Sequence, residues 1–268
     1  MAAFATIQTQ VQHGVMTITL NRPDALNTLN EPMSVELGTA LRVAQRDDDV
    51  RCVVLTGAGR AFCAGQDLNE LNAARSPGTV GPPTDVGAVL RQRYNPLVVR
   101  IRTMEKPVVA AVNGVAAGGG LSLALAADLR LCARSATFVI AFLRIGLVPD
   151  MAATLTLVQH LGYARAAALC LLGDPLTADE ALRCGLVSRV ADETDLPSVT
   201  RQMAEDLARA PTQAVGLTKR ALNHAWAATL EEQLEYEAFL QTTASQAPDH
   251  REGVQAFLAK RKPRFSGR

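Results

Sequence analysis

The sequence predicts an α/β protein, because segments with the pattern of strands alternate with segments with the pattern of helices through about residue 195. Residues 52–56 and 108–112 are unbroken apolar runs, as expected of parallel strands that are covered on both faces. After about residue 195 the strand pattern disappears and four helical segments follow. We therefore expect an α/β core over residues 1–195 and a helical region over residues 196–268.

The individual elements follow from local patterns. Residues 15–20 alternate apolar side chains with threonine, which predicts a half-buried strand. Asn30 is placed to cap a helix that continues through Arg46. Thr177 and Glu180 form a capping box, and their helix should end at Gly185. The remaining predicted elements are strands at 129–133 and 186–190, helices at 89–104, 121–127, 201–209, 213–228, 230–245 and 250–260, and a surface loop at 73–88.

The composition excludes several classes of protein. The 268 residues are 48% hydrophobic, which excludes disorder, and 27 basic against 26 acidic side chains leave no field that would attract nucleic acid. The five cysteines and four histidines are scattered, so neither disulfides nor a metal site are expected. The N-terminus lacks a secretion signal, and we expect a reducing, cytoplasmic location.

Residues 107–127 carry no charge, but Asn113 and four glycines divide them into a strand and a helix rather than a membrane span.

Two glycine-bearing segments, Gly57–Leu68 and Asn113–Gly120, each follow a predicted strand. A glycine-rich turn from a strand into a helix exposes peptide N–H groups, and the helix N-terminus adds a positive partial charge. Such a site could hold a phosphate or an oxyanion. A dinucleotide fingerprint is not completed, because Phe62 stands where its third glycine should be. Glycines that allow close backbone packing are the alternative interpretation.

Four segments together resemble the crotonase family, which is the enoyl-CoA hydratase/isomerase superfamily. These segments are Asn21–Asn27, Phe62–Leu68, Ala111–Gly120 and Glu252–Arg261. The resemblance covers about residues 5–265 and implies a spiral of ββα units, with C-terminal helices that assemble a homotrimer or a dimer of trimers. It also implies an acyl-CoA thioester substrate and no separate cofactor, since coenzyme A arrives as part of the substrate.

The resemblance further implies an oxyanion hole in which the peptide N–H groups of Gln66 and Gly119 hold the thioester oxygen while an enolate forms. Loss of one such donor typically costs about 10²–10³-fold in rate. In the family, the residues matched by Phe257 and Lys260 reach the coenzyme A of a neighbouring subunit; a solvated end of the last helix is the alternative. Further residues expected to contact the substrate are Ala25, Ala64, Asp67, Leu68 and Phe142. For Asp67, holding its own loop by hydrogen bonds is the alternative.

The chain departs from the hydratases of this family at their two glutamates. Ser122 and Phe142 occupy those positions, and neither side chain can do general acid/base work near neutral pH. Asp150 lies in a turn where some family isomerases carry a single acid that moves a proton between C2 and C4. The apolar neighbourhood at 138–143 should raise its pKa. The alternative role for Asp150 is the N-cap of a helix that begins near Met151.

The resemblance, together with the single acid at Asp150, implies an acyl-CoA isomerase that shifts a Δ3 double bond to Δ2 or rearranges the epoxide of an aromatic acyl-CoA. Two alternatives remain open: a hydratase that positions water differently, and a non-catalytic subunit that binds coenzyme A. The chain has Met151-Ala152-Ala153 before Thr154, where the family pattern usually has two glycines before the threonine. This departure leaves the acyl group undetermined.

Overall fold

A computed structural model describes residues 4–73 and 85–268 of the chain. Within these residues, ten strands form one six-stranded and one four-stranded sheet. The strands are β1 (Ile7–Gln12), β2 (Val15–Leu20), β3 (Cys52–Gly57), β4 (Ala61–Cys63), β5 (Val108–Val112), β6 (Val115–Ala117), β7 (Leu129–Ala133), β8 (Thr137–Val139), β9 (Leu176–Thr177) and β10 (Arg189–Ala191).

The large sheet has the order β1-β2-β3-β5-β7-β10. β1 and β2 form an antiparallel hairpin, and every other pair in this sheet is parallel, with Val15 opposite Cys52 and Val53 opposite Val108. The two unbroken apolar runs of the sequence are β3 and β5, which lie side by side in the middle of the sheet and are buried. The expectation of parallel strands covered on both faces is confirmed.

The small sheet has the order β4-β6-β8-β9, and β4, β6 and β8 are parallel. Each of these three short strands directly follows a strand of the large sheet, so the chain alternates between the sheets as β3–β4, β5–β6 and β7–β8. A helix follows each pair. The repeated ββα unit implied by the family resemblance is therefore present.

Twelve α-helical segments surround the sheets in the described residues. They are α1 (Glu31–Arg46), α2 (Leu68–Ala73), α3 (Val86–Val89), α4 (Asn95–Thr103), α5 (Gly119–Ala126), α6 (Ala153–Leu161), α7 (Tyr163–Leu172), α8 (Ala178–Arg183), α9 (Leu196–Arg209), α10 (Thr212–His224), α11 (Leu230–Ser245) and α12 (Pro248–Leu258). The predicted caps are present, because Asn30 accepts the Met33 N–H at the start of α1 and Thr177 with Glu180 closes a capping box at α8.

Several predicted bounds need correction. The strand expected at 186–190 begins only at Arg189, because the N–H groups of Leu186 and Val187 both donate to the carbonyl of Ala181 and close the end of α8. The loop expected at 73–88 lies mostly outside the described residues, but its last part is α3, which Asp85 caps. The helix expected at 250–260 ends at Leu258.

The helical region does not pack as a separate layer. Its first helix, α9, lies against β3, β5 and β7, and its Leu196, Ala204 and Ala208 belong to the main hydrophobic core. From α10 onward the helices carry many exposed apolar side chains.

The uncharged stretch at 107–127 folds as β5, β6 and the whole of α5, which agrees with the predicted strand and helix. No helix among the described residues is both long and apolar enough to cross a bilayer. All five cysteines are free thiols.

Candidate active site

The candidate active site lies at the carboxyl ends of three neighbouring strands of the small sheet. β4, β6 and β8 are parallel, so their carboxyl ends lie at the same edge of the sheet. Gln66 follows β4, Gly119 follows β6, and the turn that carries Asp150 follows β8. Ligands of α/β proteins commonly bind outside the carboxyl ends of parallel strands. The fold therefore brings together three residues that the sequence spreads over 84 positions.

The peptide N–H of Gln66 is left free by the way its segment pairs. Gln66 forms a parallel bridge with Leu29, in which the Leu29 N–H donates to Gly65 (2.7 Å) and the Asp67 N–H donates to Leu29 (2.9 Å). Because successive amides of an extended segment point in opposite directions, the N–H of Gln66 faces away from Leu29. Across residues 4–73 and 85–268 it has no backbone acceptor.

The peptide N–H of Gly119 is free for a different reason. Gly119 is the first residue of α5, and the first N–H groups of a helix have no partner within the helix. The preceding residue, Gly118, donates to the carbonyl of Val139 and ties this turn to β8 (3.0 Å). A Cβ added to Gly119 would lie 3.6 Å from the Cγ of Gln66 and 3.7 Å from the Sδ of Met151. The two predicted oxyanion donors thus belong to adjoining turns.

Backbone contact between these turns explains the glycines. A Cβ on Gly120 would lie 2.2 Å from the carbonyl oxygen of Cys63, which no side chain can tolerate. Gly65 has a φ of 107°, a conformation that glycine adopts far more readily than other residues. Close packing, which the sequence left as an alternative to anion binding, is therefore the means by which the two free amides are brought together.

Asp150 lies beside Gln66. The side-chain Nε2 of Gln66 donates to Oδ2 of Asp150 at 3.4 Å, whereas Oδ1 is buried and has no hydrogen-bond partner among the described residues. Burial raises the pKa of this carboxyl from 3.8 to about 6. The alternative role as an N-cap is wrong, because α6 begins at Ala153, and its cap residue Ala152 makes no side-chain capping bond.

The two residues after Asp150 have left-handed backbone conformations, with φ of 51° at Met151 and 63° at Ala152. This region costs residues other than glycine roughly 1–2 kcal/mol. Position 152 is one of the two where the family pattern usually has glycine. Met151 is only 4% exposed, and its sulfur lies against Gly119. The departure noted in the sequence therefore begins directly after a residue that covers Gly119.

The positions of the two hydratase glutamates carry no ionisable group in this chain. Ser122 is buried and donates its hydroxyl to the carbonyl of Gly118 one turn earlier in α5 (3.2 Å). Phe142 is also buried, and its ring lies 3.9 Å from the position that a Cβ of Gly118 would take. Asp150 thus provides an acid near Gly119 while these two positions do not.

The other expected contact residues divide into two groups. The carboxylate of Asp67 accepts from Arg22 (2.9 Å) and from the N–H of Asn69 (3.1 Å), which is the geometry of a residue that holds its own loop. Ala64 is tied to this region by its N–H, which donates to Leu26. The carbonyl of Ala25 accepts the N–H of Thr28, and Leu68 at the start of α2 is exposed; contact of these two residues with a substrate stays a prediction.

Phe257 and Lys260 lie in the C-terminal region and not beside Gln66. Phe257 is 84% exposed on α12, and the residues around its pocket of about 460 Å³ come from α10 to the C-terminus. Lys260 follows the end of α12 with a φ of 52°, so the two residues do not share one helical face.

Sequence reasoning missed three residues of the site. Leu29 is fully buried beside Gly119, and Met151 covers the same glycine. Tyr94 donates to the Leu29 carbonyl (3.4 Å), and burial together with nearby charges that include Asp150 raises its pKa to about 12. A lone apolar or tyrosine position gives no sequence signal for a site, because core residues look the same.

Comparison with known proteins matches residues 10–268 to the family described as enoyl-CoA hydratase/isomerase. A 1,2-epoxyphenylacetyl-CoA isomerase of Escherichia coli is 48% identical over 262 residues, which cover 98% of each chain. A protein named "Probable enoyl-CoA hydratase" of Rhodobacter capsulatus is 43% identical over 99% of this chain and 100% of its own. The crystal structure of an enoyl-CoA hydratase from Bacillus anthracis superimposes with a TM-score of 0.91 at 31% identity, over 98% of this chain and 100% of that one.

Proposed function

The chain belongs to the enoyl-CoA hydratase/isomerase family, and we propose that it is an acyl-CoA isomerase. We propose as its reactions the conversion of 1,2-epoxyphenylacetyl-CoA to an oxepin-CoA and the shift of a Δ3-enoyl-CoA double bond to Δ2. The observation that carries this assignment is the single, partly buried carboxyl of Asp150 beside the free amides of Gln66 and Gly119. Ser122 and Phe142 supply no second acid.

In the proposed mechanism the thioester oxygen lies between the N–H groups of Gln66 and Gly119. Their donation stabilises the negative charge that develops on this oxygen, and the α5 N-terminus adds its partial positive charge. Carbon C2 is thereby acidified. The carboxylate of Asp150 accepts the C2 proton, the electron pair enters the dienolate, and the protonated Asp150 returns the proton to C4. The net result is a moved double bond with no atom gained or lost.

The environment of Asp150 suits this cycle. A general acid/base works best when its pKa lies near the operating pH, and burial raises the pKa of this carboxyl to about 6. It is therefore mostly ionised at neutral pH, and yet basic enough to take up a proton. With the epoxide substrate the same group assists opening of the carbon–oxygen bond while the two amides hold the thioester oxygen.

The proposed assembly is a homotrimer or a dimer of trimers in the cytoplasm. Exposed apolar side chains on α11 and α12 support an assembled state, since Leu230, Leu234, Phe239 and Leu258 are all more than half exposed in the single chain. In this arrangement Phe257 and Lys260 contact the coenzyme A of a neighbouring subunit. Sedimentation analysis tests the stoichiometry, and Phe257→Ala should raise KM for the thioester several-fold with little change in kcat.

Proton transfer tests the function most directly. Wild-type protein and Asp150→Asn are incubated with a 3-enoyl-CoA in heavy water, and deuterium in the 2-enoyl product is measured by mass spectrometry. We expect turnover and deuterium only with the wild type. The matched control is Asp174→Asn, which removes an exposed aspartate and should behave as wild type.

The same proteins distinguish the two alternative functions. A hydratase would add water to a 2-enoyl-CoA and would keep that activity in Asp150→Asn. A non-catalytic subunit would bind acyl-CoA but convert neither the 3-enoyl thioester nor the epoxide. Equal turnover by wild type and Asp150→Asn would overturn the proposed role of the acid.

A further inference from the structure

Gln66 reaches the candidate site with two different groups. Its peptide N–H is one of the two free amides, and its side-chain amide donates to Asp150. The two roles are independent, because a substitution at position 66 removes the side-chain amide and leaves the peptide N–H in place. The side chain is partly buried between the β4 turn and the turn after β8, where its Cγ lies close to Gly119.

The hydrogen bond distinguishes the two oxygens of Asp150. Oδ2 is held by Gln66, while Oδ1 is buried without a partner among the described residues. A carboxylate of this kind is costly to bury, and a donor on one oxygen offsets part of that cost. The same bond restricts rotation of the carboxyl group, so the free oxygen keeps one direction.

No cation neutralises Asp150 within the described residues. Tyr94 is electrostatically coupled to it but remains neutral, since burial raises its pKa to about 12, and Cys63 on β4 is neutral for the same reason. Asp67 is paired with Arg22, and the guanidinium of Arg144 donates to the carbonyl of Gly173. The Gln66 amide is therefore the polar contact that the described residues give to this carboxyl from another element.

We propose that the side chain of Gln66 is a positioning residue for the isomerisation: its Nε2 holds Oδ2 of Asp150 and so fixes the orientation of the carboxyl group that exchanges the proton with the substrate. This inference rests on the proposed function. It couples the oxyanion site and the base through one residue, because the peptide N–H of Gln66 polarises the thioester while its side-chain amide orients the carboxyl group that deprotonates C2.

Removal of the amide without loss of volume tests the proposal. Gln66→Met keeps the length of the side chain and lacks the donor, and Gln66→Leu is a second variant in case the first folds poorly. Gln159→Met, an exposed change on α6, is the matched control. We expect kcat for 3-enoyl-CoA isomerisation to fall about tenfold, with KM changed by less than about twofold, as for loss of one hydrogen bond to a charged group.

The pH dependence of kcat distinguishes a positioning role from a general loss of stability, because a general loss of stability would not shift the pKa of Asp150. Without the donor the ionised carboxyl is less stabilised, so the acid limb of kcat should shift upward by about one pH unit. The titration of the Asp150 carboxyl is also followed directly by carbon-13 NMR, with the signal assigned from Asp150→Asn. Its pKa should rise in Gln66→Met and stay unchanged in Gln159→Met.

The two measurements separate failure of this proposal from failure of the proposed function. An unchanged Asp150 titration in both Gln66 variants, or an unchanged kcat and pH profile, would overturn the positioning role. If the wild type itself does not turn over a 3-enoyl-CoA or the epoxide, the proposed function fails, and with it the positioning role in isomerisation. The NMR titration then reports only whether Gln66 holds the carboxyl.

Discussion

Replacement of Asp150 by asparagine should remove activity and at the same time stabilise the protein at neutral pH. The carboxyl is the proposed proton carrier, and general acid/base catalysis of this kind is worth about 10²–10⁴-fold in rate. The same carboxyl is ionised in a poorly solvated place, and its Oδ1 has no hydrogen-bond partner in the part of the chain that the structure describes. Asparagine has nearly the same shape and carries no charge, so the energetic cost of burying the charge disappears together with the reaction.

The size of the effect follows from the pKa. Burial raises the pKa of Asp150 from 3.8 to about 6. Each pKa unit between the folded and unfolded states corresponds to about 1.4 kcal/mol of folding free energy. Because Asp150 is partly exposed, solvent screening reduces the expected cost of burying its charge to about 1–2 kcal/mol. Below about pH 4 the carboxyl is protonated in both states and the cost is absent. As the pH rises from about 4 towards 6, Asp150 loses its proton in the unfolded chain before it does so in the folded one. The free energy of unfolding of the wild type therefore falls over this range.

The assay is urea unfolding of wild type and Asp150→Asn at equal protein concentration between pH 4 and pH 8. The difference in the free energy of unfolding should grow from near zero to about 1–2 kcal/mol in favour of the variant and level off above about pH 6. Comparison of the two proteins cancels the other titrating groups. A variant that is less stable than the wild type at neutral pH, or a difference that does not change with pH, would refute the burial argument.

Three further predictions concern the turns around the site. Gly119→Ala should fold normally, because its methyl group would make only ordinary contacts with Gln66, Met151 and Leu29. It should lose at least about 10²-fold in kcat/KM, because the methyl group would stand beside one of the two proposed oxyanion donors; full activity would show that the thioester lies elsewhere. Gly120→Ala should destabilise the fold by at least about 3 kcal/mol or abolish soluble expression, since its Cβ would meet the carbonyl of Cys63 at 2.2 Å; a normal unfolding midpoint would contradict the backbone contact. Ala152→Gly should raise the free energy of unfolding by about 0.5–1 kcal/mol by relieving a φ of 63°, and a lower melting temperature would count against strain at this residue.

Four strands of the large sheet, β2, β3, β5 and β7, and the helix α1 could be predicted from sequence because their signals are local and long, whereas β1 is not predicted and β10 begins three residues later than expected. β3 and β5 are apolar runs of five residues or more, and α1 has both a cap and a sixteen-residue pattern. The strands β4, β6 and β8 have three residues each, too few for a periodicity, and become strands only because they pair with one another.

The site could be predicted only in part for the same reason. Motif resemblance named Gln66, Gly119 and Asp150, and the structure places them together. The hydrogen bond between the Gln66 side chain and Asp150 spans 84 residues and depends on two turns from different strands of the small sheet. No local pattern encodes such a contact. The same holds for Met151, whose role depends on an unusual backbone conformation and not on its residue type.

The close contact between Gly120 and the carbonyl of Cys63 has a consequence for evolution. It fixes the two amides through the main chain, so a side-chain replacement other than proline leaves both peptide donors chemically in place. Substitutions that keep Gly119 and Gly120 therefore act on a scaffold that retains the two amides of the proposed thioester site. Under the proposed function, a change of chemistry then requires only a change in which acid lies beside these amides, here Asp150 and not an acid at position 122 or 142, while the part of the site that is hardest to assemble is kept.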